Sequence, residues 1–315
     1  MIVIDIDPVL LYLGGNPLVR WYGVMFVVGI LVATTVAIKF GPERGISEDD
    51  FWTVFWPATI AGLVGARLYY VAQSDPISYL AQPWRILATW EGGLAFYGAI
   101  FGAVIAILVV CFLRRISIWA VLDVGAIFAV VGQSFGRIGN IINGDVVGYP
   151  TTLPWGFIYA HPNAFVAEKA LQLHGAMPFP VGVISPEEAA SLGLTAYQPA
   201  AVYELVFNIL LFTFLWWVKG RLKTPGLLFA TWLVIYSVGQ IAIFTQRMNE
   251  VLFFGLKQAQ LTAIVVIVAC IPLVWYVLGR RSREGEPPGS VEDDGEPPEN
   301  DEPPENTEPP EPGAS

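Results

Sequence analysis

Charged residues are scarce in this chain, which excludes an ordinary soluble domain. Only 14% of its 315 residues are charged, whereas 55% are hydrophobic. A soluble protein of this length needs a more polar surface than that. The composition therefore indicates a chain that crosses a membrane several times.

Cysteine and histidine are almost absent, and neither residue type forms a recognisable site. Cys111 and Cys270 lie in separate apolar runs, which predicts small membrane residues and neither a disulfide nor a nucleophile. His161 and His174 stand thirteen positions apart, a spacing that metal-binding motifs do not use. We therefore predict no metal site and expect both histidines on the surface.

The chain also lacks an excess of positive charge over most of its length. Its net charge of −10 comes from the C-terminal end, where twelve acidic residues and no basic one follow Arg283. Residues 1–283 carry 15 acidic and 17 basic side chains, a net charge of +2, so nucleic acid is not expected as a partner. Residues 284–315 repeat Glu-Pro-Pro-Glu and cannot bury enough apolar surface to fold. We predict an integral membrane domain at 1–283 and a disordered, acidic, proline-rich tail at 284–315.

Long apolar runs, in contrast, are abundant, and seven of them approach the ~20 residues that a bilayer core requires. They cover Leu18–Phe40, Phe51–Ala72, Gly93–Leu113, Ile118–Gly136, Pro199–Val218, Gly226–Thr245 and Gln260–Leu278. The predicted fold is all-α, a polytopic membrane protein with about seven transmembrane helices. A polar segment at 140–198 separates helices four and five, and residues 1–17 form an arm on the membrane surface. Met1 to Asp7 carries two aspartates and no lysine or arginine, so we do not expect a cleaved signal peptide.

Lysine and arginine cluster after every second apolar run, and this asymmetry predicts the orientation. The clusters follow runs one, three, five and seven: Lys39 and Arg44; Arg114 and Arg115; Lys219, Arg221 and Lys223; Arg280, Arg281 and Arg283. Loops rich in positive charge face the cytoplasm. We therefore expect the N-terminus and the 140–198 segment outside the cell membrane, and the C-terminus in the cytoplasm.

The most unusual stretch of the chain is Gly136–Gly148, which follows an apolar run. It holds four glycines, two asparagines, Arg137 and Asp145 within thirteen positions. Irregular backbone at membrane depth must be buried in protein or line a wet cavity. An arginine there needs an anionic partner. The residues alone leave two possibilities open: Asp145, eight positions on, or a phosphate group of a ligand.

Further polar residues fall at the outer ends of the predicted helices. They are Tyr22, Arg67, Tyr97, Glu204 and Arg247. A one-sided arrangement suits a site for lipid headgroups or extracytoplasmic substrates better than a transport path, which needs polar residues through the full membrane depth. Two possibilities are open for Arg67: a place in this polar site, or simple pairing with a carboxylate such as Glu204 or Asp123, because charges inside a membrane normally pair.

These motifs resemble the prolipoprotein diacylglyceryl transferases from about Trp21 to Arg283. The strongest part is Gly136-Arg137-x-Gly139-Asn140-x-x-Asn143-Gly144-Asp145-x-x-Gly148, which is similar to the family signature. Further blocks occur in the family order: Trp21-Tyr22-Gly23, Gly65-Ala66-Arg67, Glu91-Gly92-Gly93-Leu94, Asp123 and Tyr203-Glu204.

Four positions depart from the family pattern. Asp145 stands where glutamate is usual, and Tyr97 stands where many members have histidine. The block that normally reads tyrosine, arginine, glutamate at intervals of four reads Tyr236, Gln240, Phe244 here. A second family arginine is matched by Arg247.

The resemblance implies an enzyme of the bacterial plasma membrane. Members transfer the diacylglyceryl group of phosphatidylglycerol to the lipobox cysteine of a prolipoprotein signal peptide, without a cofactor. The resemblance assigns the phosphate to Arg137, with help from Arg247. It assigns the glycerol head to Asn140, Asn143 and the glycine backbone that includes Gly148, proton transfer to Tyr97 or Asp145, and the pocket shape to Tyr22 and Glu204.

Two other functions are weighed against this one. A lipid-binding relative with impaired catalysis would explain the loss of arginine and glutamate at Gln240 and Phe244. An anion transporter is the weakest hypothesis, because polar residues do not continue through the predicted helices to the cytoplasmic side.

Overall fold

The computed structural model describes residues 1–74, 76–89, 92–166, 195–249 and 251–284. This part is mostly helical and contains seven helices long and apolar enough to cross a membrane. The predicted polytopic helical class is therefore confirmed. Three predictions concern residues outside the described ranges: the acidic tail beyond Glu284, the motif residue Glu91 and the surface position of His174.

The seven long helices lie close to the predicted runs, and a short helix, α3, joins two of them. Their bounds are α1 Trp21–Phe40, α2 Glu48–Gln73, α3 Pro76–Ala81, α4 Phe96–Arg114, α5 Ile118–Asn143, α6 Ala200–Val218, α7 Leu227–Gln246 and α8 Gln258–Glu284. Helix α2 begins with a capping box between Ser47 and Asp50, in which each side chain accepts from the other residue's backbone N–H. This box satisfies N–H groups that the helix itself leaves without partners.

Helix α5 is longer than the sequence predicted, and this corrects the interpretation of Gly136–Gly148. The helix does not end at Gly136 but continues to Asn143 and stops at Gly144, which adopts a left-handed conformation with φ 72°. Regular backbone therefore carries Arg137 and Asn140. Three residues apart on a helix, these two side chains share one face.

Close helix approaches depend on glycine at a few positions. A Cβ atom on Gly65 of α2 would lie 2.4 Å from the Gly98 carbonyl oxygen of α4, and one on Gly102 would lie 2.1 Å from the Ala61 carbonyl oxygen. Gly98 and Gly102 thus allow α2 and α4 to pack closely. Helix α5 packs against α1, α6 and α7, and α7 packs against α8.

Short strands accompany the helices, which the all-helical prediction did not include. They are β1 Ile2–Ile4, β2 Val9–Leu13, β3 Asn16–Arg20, β4 Phe157–Tyr159, β5 Val251–Phe253 and β6 Leu256–Lys257. Strands β2 and β3 form a hairpin, as do β5 and β6, whereas β1 pairs in parallel with β4. The N-terminal arm is thus tied to the segment that follows α5.

Among the described residues Arg67 meets no carboxylate, and Glu204 and Asp123, the two candidates that the sequence offered, pair with other arginines. Its guanidinium is buried in α2 and donates to backbone carbonyls of the loop before α4. The acceptors are the oxygens of Arg85, Ile86, Ala88, Gly92 and Gly93. Backbone dipoles of this loop therefore stabilise the charge, and Arg67 holds the loop in place.

Asp123 pairs instead with Arg44, at the opposite end of the helices from Arg137. Arg44 Nη1 lies 3.5 Å from Asp123 Oδ2 and donates to the Leu222 carbonyl at 2.7 Å. Asp123 Oδ1 accepts from the backbone N–H of Phe229 at 2.9 Å. Both side chains are almost completely buried. One ion pair thus joins the α1–α2 turn, α5, the end of α6 and the start of α7.

Removing one member of this buried pair should destabilise the protein strongly. Asp123→Ala leaves the Arg44 charge buried without its anion, which typically costs about 3–5 kcal/mol. We expect a clearly lower thermal unfolding midpoint, measured by tryptophan fluorescence in detergent. Glu43→Ala is the matched control, because Glu43 pairs with Lys219 on an exposed surface and such pairs contribute about 0–1 kcal/mol. Equal midpoints for the two variants would contradict the structural role of Asp123.

Candidate functional site

Arg137 lies at the centre of a polar cluster between α5, α6 and α7. Its Nη2 atom is 2.6 Å from Glu204 Oε2, in an ion pair that lacks the alignment of a hydrogen bond. Its Nη1 atom donates to Asn140 Oδ1 at 2.9 Å. The Arg137 side chain is 20% exposed, whereas Glu204 is 1% exposed. The guanidinium is therefore anchored on one side and accessible on another.

The protein partner of Arg137 is not Asp145. The residues alone left Asp145 and a ligand phosphate open as partners of the guanidinium. The carboxylate that meets Arg137 is Glu204, because α6 packs against α5 and its first turn carries Glu204 toward the centre. Arg137 is therefore already paired with a carboxylate of the protein that the sequence did not assign to it.

Glu204 binds a second guanidinium with its other oxygen. Arg247 follows the end of α7, and its Nη1 atom lies 3.1 Å from Glu204 Oε1. The Arg247 guanidinium also stacks 4.7 Å from the centre of the Phe244 ring, an arrangement that favours a cation. Two arginines thus share one buried carboxylate, which leaves a local excess of positive charge.

Asp145 joins the cluster through Asn140. The Asn140 amide donates to both Asp145 oxygens, each at 3.1 Å, while its own oxygen accepts from Arg137. Asp145 is exposed, so solvent screens its charge more than that of Glu204. The formal charges of the two arginines, Glu204 and Asp145 sum to zero. Without the exposed Asp145, the rest of the cluster carries a net positive charge.

The turn after α5 fixes the position of Asp145. A Cβ atom on Gly144 would lie 2.9 Å from Tyr159 Cδ1, so both the left-handed backbone and the packing favour glycine there. Tyr159 belongs to β4 and is buried. Burial, together with the nearby charge of Asp145, raises the pKa of Tyr159. The phenol next to Asp145 therefore stays neutral.

Gly148 lies where three backbone segments meet. Its N–H donates to the Gln198 carbonyl at 2.8 Å, and it forms a β-bridge with Arg247. A Cβ atom at this position would lie 2.5 Å from the Gln246 carbonyl oxygen. The absence of a side chain thus allows the segment after α5 to hold the backbone of Arg247.

Lys257 is a residue that the sequence reading missed. It is buried, and its Nζ atom donates to the Phe244 carbonyl at 2.6 Å and to the Arg247 carbonyl. A cation at the C-terminal end of a helix is stabilised by the unpaired carbonyls there. The signal was weak, because one lysine before an apolar run looks like an ordinary loop charge.

The remaining predicted residues differ in their distance from the cluster. Tyr22 packs against α5, because a Cβ atom on Gly139 would lie 3.0 Å from the Tyr22 ring. Asn143 is buried, and its Oδ1 atom has no partner among the described residues. The Tyr97 hydroxyl lies 3.3 Å from Thr262 Oγ1, so its polar contact joins α4 to α8, neither of which carries Arg137.

The departures in α7 lie beside the arginines. Gln240 and Phe244 are both buried, and Tyr236 is close enough to interact with Arg137 electrostatically. A neutral amide and a ring therefore occupy the positions of the missing arginine and glutamate. Within the described ranges, no three histidine, cysteine, aspartate or glutamate side chains come together to hold a metal ion.

Comparisons with known proteins agree with the motifs. A family model described as Prolipoprotein diacylglyceryl transferase matches residues 8–276. Three relatives carry the name phosphatidylglycerol–prolipoprotein diacylglyceryl transferase. The protein of Fusobacterium nucleatum is 30% identical over 84% of this chain and 96% of its own length. That of Synechocystis is 31% identical over 86% and 89%, and that of Thermotoga maritima 30% identical over 86% and 84%. The chain belongs to the prolipoprotein diacylglyceryl transferase family.

Proposed function

We propose that this chain transfers the diacylglyceryl group of phosphatidylglycerol to the lipobox cysteine thiol of a prolipoprotein, in a bacterial plasma membrane. The observation that carries the proposal is the pair of guanidiniums of Arg137 and Arg247, which share Glu204 and keep exposed faces. The names of the relatives support the donor and the acceptor.

Arg137 and Arg247 bind the phosphodiester of the donor lipid in this proposal. The thiol sulfur attacks the carbon of the diacylglyceryl group that is bonded to the phosphate oxygen. A C–S bond forms, and the C–O bond between this carbon and the phosphate oxygen breaks. Glycerol phosphate leaves with the electron pair. Planar guanidiniums stabilise the charge that develops on this leaving group, because they offer two parallel N–H donors to phosphate oxygens.

The thiol proton goes to Asp145 in this proposal. Asp145 is exposed and linked through Asn140 to Arg137, whereas the Tyr97 hydroxyl contacts Thr262. The hydrogen-bonded chain therefore favours Asp145 over Tyr97 as the base. The buried Oδ1 atom of Asn143 is suited to accept a hydrogen bond from a glycerol hydroxyl of the donor.

Loss of the central cation should abolish most of the transfer. Arg137→Gln removes the guanidinium that meets the phosphate, and one such group is typically worth about 10²–10³ in rate. We expect this drop in a thiol-labelling assay with phosphatidylglycerol vesicles and a lipobox peptide. Arg221→Gln is the control, because Arg221 stacks on Trp217 beyond the other end of α6 and should transfer normally. Wild-type rates from the Arg137 variant would overturn the assignment.

A lipid-binding relative with impaired catalysis is the second candidate, favoured by Gln240 and Phe244. Complementation of a strain depleted of its own transferase separates the two functions. We expect the wild-type chain to restore lipoprotein modification and Arg137→Gln to fail at equal membrane abundance. A wild-type chain that inserts and binds phosphatidylglycerol, yet restores nothing, would favour the impaired relative.

The helix ends that carry Arg137 and Glu204 face outward in this proposal, and the C-terminus faces the cytoplasm. The positive clusters after alternate helices support this orientation. The tail at 284–315, twelve of whose residues are acidic and none basic, is proposed to be disordered and cytoplasmic.

A protease specific for glutamate tests both properties of the tail. In inside-out vesicles it should remove a C-terminal epitope within minutes, because a disordered segment is cleaved readily. In right-side-out vesicles the epitope should survive. The reverse pattern would contradict the orientation, and slow cleavage on both sides of detergent-solubilised protein would contradict the disorder.

A further inference from the structure

A second polar layer lies one helical turn below the Arg137 cluster. Helices α5 and α7 run toward the cluster, whereas α6 runs away from it. The residues four positions before Arg137 and Tyr236, and four positions after Glu204, therefore lie at one level. These residues are Gln133 on α5, Asn208 on α6 and Trp232 on α7. The ring of Trp232 stacks on Tyr236, with ring centres 5.6 Å apart, which links the layer directly to the cluster.

Each residue of this layer has a buried polar atom without a partner among the described residues. The atoms are Gln133 Oε1, Asn208 Oδ1 and Trp232 Nε1. Asn208 is only 2% exposed. One buried unpaired polar group is costly, and three at one level on three packed helices call for a common ligand.

The chemistry of the three atoms restricts the ligand. The indole N–H can only donate, whereas the two amide oxygens accept. A group that satisfies both kinds must accept and donate, which a hydroxyl does and a carbonyl or an ammonium does not. Leu211 and Phe207 pack nearby in the hydrophobic core that α6 shares with α5 and α7, so a small ligand is favoured.

We propose that Gln133, Asn208 and Trp232 form a buried hydroxyl-binding subsite that holds water beneath the Arg137–Glu204 ion pair. A water molecule in a protein interior typically makes about three hydrogen bonds, and the layer offers three groups. Such water connects the three helices that carry Arg137, Glu204 and Tyr236. The inference concerns hydration and helix packing, and it holds whether or not the chain transfers diacylglyceryl groups.

A single substitution should shift the thermal unfolding midpoint in opposite directions for a hydrated layer and for a dry layer. In a dry layer, Asn208→Leu removes an unpaired polar atom and should raise the thermal midpoint. In a hydrated layer it strands the water and the other two groups, so the midpoint should fall by about 2–4 °C or more. The control of similar volume is Asn208→Thr, which keeps an acceptor oxygen without adding a charge and should lower the midpoint less. A rise for Asn208→Leu would overturn the proposal.

Thermodynamic coupling between Asn208 and Trp232 provides the second test. Asn208 and Trp232 have no direct hydrogen bond to each other, so in a dry layer Asn208→Leu and Trp232→Phe should act additively. If both groups share one water molecule, the midpoint of the double variant should fall by less than the sum of the decreases in the two single variants. Strict additivity would overturn a shared ligand.

Water-edited solid-state NMR identifies the occupant directly. The indole ¹⁵N signal of Trp232, assigned by its loss in Trp232→Phe, should receive magnetisation from water as rapidly in phosphatidylcholine as in phosphatidylglycerol bilayers. Transfer only from lipid protons, and only with phosphatidylglycerol, would assign the subsite to a glycerol hydroxyl of the lipid and overturn water as its occupant. No transfer from either source would show a dry layer.

Discussion

The buried carboxylate of Glu204 is the constraint on which the site depends. A carboxylate that is 1% exposed must be paired, because an isolated charge in such surroundings is very unfavourable. Arg137 and Arg247 provide that pairing from two different helices, one to each oxygen. Because both guanidiniums remain partly exposed, the arrangement fixes two cations in space and still leaves their outer faces available. This is the geometry that a phosphate-binding enzyme needs before its substrate arrives.

Much of the surrounding structure serves to hold Arg247 in reach. Arg137 projects from the regular backbone of α5, but Arg247 lies just beyond α7, where the chain would otherwise fray. Gly148 bridges to its backbone, and the buried ammonium of Lys257 binds its carbonyl oxygen. The chain after α5 and the hairpin before α8 thus act together on one residue. Glycine at position 148 thus allows two backbone segments to approach closely, and it affects substrate binding only through the position of Arg247.

Hydropathy predicted the seven helices well, because a bilayer imposes a length and a composition that a single sequence displays. It failed at the end of α5, where Gly136 and Gly139 suggested irregular backbone. At Gly139, α1 packs close enough to require a small residue in a regular helix. The partners of the arginines were also beyond reach. Glu204 is separated from Arg137 by 67 positions, and nothing local predicts their contact. A carboxylate was one candidate partner for Arg67, because intramembrane charges usually pair, whereas carbonyl dipoles of a folded loop stabilise its charge here. Motifs thus named most members of the polar cluster around Arg137, and only the packing of α5, α6 and α7 revealed which of them meet.

The most direct measurement is the proximity of the Arg137 guanidinium to the phosphate of the donor lipid. Solid-state NMR can detect dipolar coupling between ¹⁵N-labelled arginine side chains and the ³¹P nucleus of phosphatidylglycerol. If Arg137 and Arg247 bind the phosphate, hydrogen-bonded guanidinium–phosphate pairs should give strong coupling that largely disappears in Arg137→Gln and persists in Arg221→Gln. Equal coupling in wild type and in Arg137→Gln, or none in wild type bilayers of phosphatidylglycerol, would contradict phosphate binding by Arg137.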